Sequence, residues 1–265
     1  MRLAFSTLGL PALPLPDVLR LAGENGYQGV ELRCHPEEPV HPGLNLGERA
    51  DVVEAFAKAG VEILTLAGYA KVCAPGDDGP VLDEIRTLLD LARDLGAANI
   101  RVFPGAGDSP AVEADPTAVR RLKAVAPYAA DLGVRVLLET HDSHRTGADA
   151  ARVLDAVGHR SVGAIWDVMH PWMGGEEPAD TLAALGGHLA YVQVKDISSR
   201  EDTTPLGLGA GALPLGEVLA LLSESGWDGW LCWEYEKRWY PQAAELSRLL
   251  GPGREHLLQL LSYAS

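Results

Sequence analysis

Four short apolar runs in the chain each end on a residue that can bind a metal through oxygen: Glu139 in LLET, Asp167 in AIWD, Gln193 in YVQVKD and Glu234 in LCWEY. The gaps between them are 28, 26 and 41 residues, each long enough for a crossover helix. Parallel strands joined by such helices bring their C-terminal ends to one face, so residues distant in sequence can share a centre. Carboxylates gathered there need a cation or shared protons, because like charges at close range raise one another's pKa. An all-oxygen donor set favours Mg or Mn, with Zn or Co as alternatives, since zinc more often takes nitrogen or sulfur. Three carboxylates on a divalent ion leave one net negative charge, which suits a neutral polyol or hydroxy-ketone.

The elements that must position these residues are legible as a repeat. Strands are expected at 3–7, 29–33, 61–67, 99–103, 134–140, 162–167, 191–196 and 230–235, separated by helical patterns. Gly26, Gly60, Gly96, Gly133, Gly158, Gly186 and Gly226 each stand where a helix should stop in a left-handed residue before the next strand. Asp115-Pro116 reads as an N-cap with proline in the first turn, and Pro80 and Pro178 open other helices. Val81, Ile85, Leu88, Leu89 and Ala92 recur at helical spacing. The expected fold is α/β, a single (β/α)8 TIM barrel spanning 1–265 as one domain. A doubly wound open sheet is disfavoured because no GxGxxG follows the first strand.

Composition narrows the class. With 265 residues, 47% of them hydrophobic and 22% charged, the chain can bury a large core. No apolar run reaches the length of a membrane span and MRLAFSTLGL lacks signal-peptide order, so a cytoplasmic enzyme is expected. Cys34, Cys73 and Cys232 suggest neither disulfides nor a zinc site. A net charge of −15 without a basic stripe argues against nucleic acid. The expected partner is a small-molecule sugar or polyol, with no nucleic acid and no membrane; a homo-oligomer is left open.

The strand-end residues, together with WDVMH, VQVKD, the GLGAG loop with LPLGEVL, and GWDGWLCWEYE, resemble the xylose isomerase-like TIM-barrel family of sugar isomerases and epimerases. The resemblance covers nearly the whole chain. It implies one divalent metal held at Glu139, Asp167, the position of Gln193, and Glu234. Relatives usually place histidine at the third position, whereas Gln193 offers only an amide oxygen; the alternative is that it hydrogen-bonds a water or a substrate hydroxyl. The implied chemistry is isomerisation or epimerisation of a small sugar or keto-polyol through a metal-stabilised enediolate, with Glu139 and Glu234 as base and acid.

The resemblance also implies substrate contacts at His170 and Arg200. Lys195 is a candidate for holding a hydroxyl or carboxylate, with a salt bridge to Asp196 as its alternative. His141 is the best of the loop residues His141, His144 and Arg145, and Trp172 is placed to stack on a sugar or exclude water. His35 follows the second strand and is a candidate cover for the mouth. The glycine-rich segment 205–216 reads as a lid rather than a phosphate cradle. Competing functions are a dehydratase on the same barrel, a phosphodiesterase resembling endonuclease IV, disfavoured by the missing histidine and the acidic charge, and a non-catalytic ligand-binding barrel.

Overall fold

The structure, a computed structural model, describes residues 1–263. Eight strands, β1 (Arg2–Ser6), β2 (Gly29–Arg33), β3 (Glu62–Lys71), β4 (Asn99–Phe103), β5 (Arg135–Glu139), β6 (Val162–Asp167), β7 (Leu189–Val194) and β8 (Trp230–Trp233), form a closed barrel in sequence order. The helices are α1 (Leu15–Asn25), α2 (Leu46–Ala59), α3 (Asp78–Leu95), α4 (Ala111–Leu132), α5 (Gly147–Val157), α6 (Met169–Gly174), α7 (Pro178–Leu185), α8 (Leu215–Glu224) and α9 (Leu246–Tyr263). This is a single (β/α)8 TIM barrel. The strands are nearly continuous apolar runs because a helix layer covers one face and the barrel core the other.

The chain comprises two compact units, residues 65–191 and residues 1–64 with 192–265. In the second of these, β1 pairs in parallel with β2 (Ala4 opposite Gly29) and with β8 (Ala4 opposite Cys232). Phe5 meets Tyr27 edge-on with ring centres 5.3 Å apart. Helix α9 approaches β8 closely: a Cβ on Gly253 would lie 2.1 Å from the Trp233 ring, so only glycine fits there. In the 65–191 unit, β4 lies between β3 and β5, and β5 pairs on with β6 (Glu139 opposite Ile165). The expected stripe of α3 is buried at Ile85, Leu88, Leu89 and Ala92.

Arg121 on α4 is fully buried and ties down the segment after β3: its guanidinium donates to Asp78 and to the carbonyls of Val72, Ala74 and Gly76. Replacing it with Met leaves those carbonyls without their donor and Asp78 to Arg120 alone. Arg121→Met should therefore destabilise the fold by about 3 kcal/mol, measured by urea unfolding; a change under about 0.5 kcal/mol would mean the segment does not depend on it.

Local expectations fail in a few places. Helix α4 begins at Ala111 and runs through Asp115-Pro116, so Asp115 is no N-cap; its carboxylate instead bonds His144 at 2.8 Å and Arg152 at 2.9 Å. Five of the seven glycine stops are left-handed C-caps and Gly226 also has positive φ, but Gly186 is right-handed at φ −46°. Strand β3 extends to Lys71 because a register shift between Ala67 and Lys71 lets the chain continue beside β4. Strand β7 stops at Val194 and β8 at Trp233, which places Lys195 and Glu234 just past the strands. No helix among the described residues is long and apolar enough to cross a membrane.

Candidate metal and substrate site

In the 65–191 unit, Glu139 closes β5 and Asp167 closes β6, and both are buried. The Arg101 guanidinium, buried on β4, pairs with Glu139 at 3.1 Å and lies 4.2 Å over the Phe103 ring. Asp167 accepts the Met169 N–H at 2.9 Å, which turns the chain into α6 and sets His170 Nε2 3.6 Å from the Asp167 carboxylate. The loop after β5 closes through reciprocal backbone bonds between His141 and His144. This carries the His141 ring between Phe103, at 4.5 Å, and His170, at 4.1 Å. One donor atom each from Glu139, His141 and His170 lie within 4.8 Å of one another, a set able to hold a metal ion or to grip hydroxyls.

Asp142 anchors His141. It sits at the loop tip with φ +30°, a strained conformation for a non-glycine residue. Its carboxylate contacts His141 Nδ1 at 3.2 Å and accepts the Gly105 N–H at 2.9 Å, together with the N–H and hydroxyl of Ser143. Burial alone would raise its pKa, yet these hydrogen bonds hold it well below the usual carboxylate range. Burial likewise opposes the charged form of His141, but Asp142 and the fields of Glu139 and Asp167 raise it overall.

A depressed carboxylate contributes stability above its unfolded pKa of about 3.9 and loses it as pH falls; a raised imidazole contributes below about 6.5 and loses it as pH rises through its raised value. The Asp142→Asn variant, freed of metal with EDTA, should therefore lose most stability relative to wild type near pH 5 and less on either side. A pH-independent loss in urea melts would contradict the pairing.

In the other unit, Gln193 on β7 is fully buried and its amide nitrogen is shared between two carboxylates. It donates to Glu31 of β2 at 3.1 and 3.3 Å and to Glu234 at 3.1 Å. The amide oxygen Oε1 is buried and has no hydrogen-bond partner among the described residues. An orphaned buried acceptor is costly unless a cation or donor meets it, so the donor set fits a divalent ion. Lys195 pairs with Glu234 and with Glu236. Asp196 accepts backbone N–H groups from Gly209 and Gly211, both at 2.9 Å, and from Leu213 at 3.2 Å. The glycine-rich loop thus spends its amides on an internal carboxylate, which removes them from any phosphate cradle and pins the segment.

The remaining candidates sit in the loops and short helix that follow the strands. His144 is buried and contacts Ser143 at 3.1 Å and Asp115 at 2.8 Å, tying the loop to α4. Arg200 is exposed in the loop after β7, Trp172 is half-buried on α6, and His35 lies beside Glu37. Sequence reasoning passed over Glu31, Arg101, Asp142 and Glu236. The signal for two of them was present: GVELR and NIRVF carry a charge inside a strand that should be apolar on both faces, and such a charge has to be paired inside the barrel.

Comparison with known proteins agrees with this architecture. The chain is 28% identical over 262 residues to a Streptomyces coelicolor protein named "Putative hydroxypyruvate isomerase", covering 89% of this chain and 91% of that one. It is 25% identical over 190 residues to a 3-dehydroshikimate dehydratase of Bacillus anthracis, covering 70% of this chain and 67% of the relative. Among solved structures, D-psicose 3-epimerase of Clostridium cellulolyticum superposes with a TM-score of 0.84 at 15% identity over 98% of this chain and 99% of that one. The IOLI protein with a bound zinc atom superposes at 0.83 and 20% identity over 100% of this chain and 99% of that one. The xylose isomerase-like TIM barrel model matches residues 19–256, and the chain belongs to that family.

Proposed function

We propose that the protein is an isomerase or epimerase of a small sugar, keto-polyol or related hydroxy-carbonyl compound, with one divalent ion held by Glu139, Asp167, Gln193 and Glu234. The observation that carries the reading is Gln193, whose nitrogen is committed to two carboxylates while its buried oxygen has no hydrogen-bond partner among the described residues. The family membership and the names of the isomerase and epimerase relatives point the same way. A bound ion supplies polarisation of the substrate carbonyl, making the adjacent C–H acidic.

The chain's own residues supply the rest. Glu139 and Glu234 take and return the proton on carbon. Arg101 and Lys195, each already bonded to one of these carboxylates, hold it oriented. His141 and His170 offer imidazole nitrogens to substrate hydroxyls, and Trp172 and Arg200 are the outer contacts. Amide oxygen at the third position favours Mn or Mg over zinc. Gln193→His should shift preference toward zinc or cobalt, read by metal competition; an unchanged preference would separate Gln193 from the ion.

A dehydratase is the second reading, favoured by one observation: the His141 and His170 rings stand 4.1 Å apart beside Glu139, a ready acid for a leaving hydroxyl. A panel of hydroxy-ketones and ketoses, followed by mass and ultraviolet absorbance, decides. Conserved mass supports the isomerase or epimerase, loss of water with a new absorbing double bond supports the dehydratase, and no turnover across the panel contradicts both.

A further inference from the structure

We propose that Glu31 is the positioning residue that makes a glutamine serve as a metal ligand in this chain. The inference rests on the ion proposed above and concerns how the Gln193 amide is oriented toward it.

A primary amide presents an oxygen acceptor at one end and two N–H donors at the other, and a half-turn about its last bond exchanges them. Only the oxygen can ligate a cation. A buried glutamine is therefore a dependable ligand only if its surroundings forbid the exchange. Here one N–H lies between the two oxygens of Glu31, at 3.1 and 3.3 Å, and the other reaches Glu234 at 3.1 Å. Turning the amide over would press its oxygen against both carboxylates and withdraw the N–H groups it gives them. Glu31 meets the amide nitrogen with both of its oxygens and Glu234 with one, so repulsion from Glu31 is the larger barrier to the turn. Glu31 decides.

Its placement is built for this. Glu31 is fully buried in β2, in register with Ser6 of β1, in a strand whose neighbours Val30 and Leu32 are core residues. A buried carboxylate is costly to keep, and orienting Gln193 gives it a function that packing does not. Residues that orient a metal ligand typically govern affinity by about 10- to 100-fold without touching the ion.

The test is Mn(II) binding by calorimetry to the full-length protein, with no substrate present, across a double-mutant cycle of Glu31→Gln and Gln193→Glu. In the wild-type background Glu31→Gln should weaken Mn(II) by about 10- to 100-fold. Glu31→Asp, which keeps both carboxylate oxygens and the charge, should lose less than Glu31→Gln, whose amide offers one acceptor oxygen and can turn it away. In the Gln193→Glu background the ligand needs no orienting and suffers repulsion from Glu31, so Glu31→Gln should leave affinity unchanged or improve it. Thermal melts confirm that each variant is folded; if Glu31→Gln fails to fold, Glu31→Asp takes its place, and if Gln193→Glu fails, Gln193→His supplies the background with a ligand that has no amide to orient.

Equal affinity of wild type and Glu31→Gln overturns the proposal, as does the same fold-loss in both backgrounds, which would mark Glu31 as a packing residue only. Absence of Mn(II) binding by the wild type overturns the metal reading itself and this proposal with it.

Discussion

Glu139→Gln and Asp167→Asn proteins are expected to lose divalent-metal binding by more than about 100-fold, because even residues that only support a ligand are worth about 10- to 100-fold. Both positions are buried at strand ends, so water cannot substitute freely for the lost carboxylate. Gln193→Ala should cost less, since an amide oxygen is a weaker donor than a carboxylate. The ordering, Asp167 and Glu139 above Gln193, is read directly by Mn(II) titration of each variant. Glu139→Gln also leaves the buried Arg101 guanidinium facing a neutral amide, so it should lower thermal stability as well. Full metal retention by both carboxylate variants would place the ion elsewhere.

The second large effect concerns the proton. With saturating Mn(II) and a turned-over substrate in heavy water, Glu139→Gln and Glu234→Gln should each slow turnover by about 10²- to 10⁴-fold, the usual worth of a positioned acid or base. Wild type should incorporate solvent deuterium at the carbon next to the carbonyl, followed by NMR. If exchange survives in Glu234→Gln while turnover stops, one face of the intermediate is still served by Glu139 and the reaction is a two-base epimerisation. Turnover without any exchange in wild type would favour an internal hydride shift. Undiminished activity in both variants would remove these carboxylates from the mechanism.

The barrel was legible because its signals are local and repeated: apolar strands of one length, and glycine stops that five helices use as left-handed caps. The strand-end positions of Glu139 and Asp167 followed from the same pattern. What stayed hidden depends on partners far apart in sequence. Asp115 looks like a helix cap beside Pro116, and only the folded chain shows it spent on His144 and Arg152. Lys195 reads as a substrate contact or a partner of Asp196, and only the folded chain shows the backbone of the glycine-rich loop on Asp196 and Glu234 and Glu236 on Lys195. Glu31 and Gln193 are 162 residues apart, and nothing local to either announces the other. The strain at Asp142 is likewise invisible in sequence, because aspartate adopts ordinary backbone angles in most loops.

The central claim is that a divalent ion meets the amide oxygen of Gln193 in company with the strand-end carboxylates. An anomalous difference map from a crystal soaked in Mn(II) tests it most directly. The account predicts a single strong peak at bonding distance from Gln193 Oε1 and from carboxylate oxygens of Glu139, Asp167 and Glu234. A peak bonded instead to Glu139, His141 and His170, with Gln193 remote from it, would contradict the account.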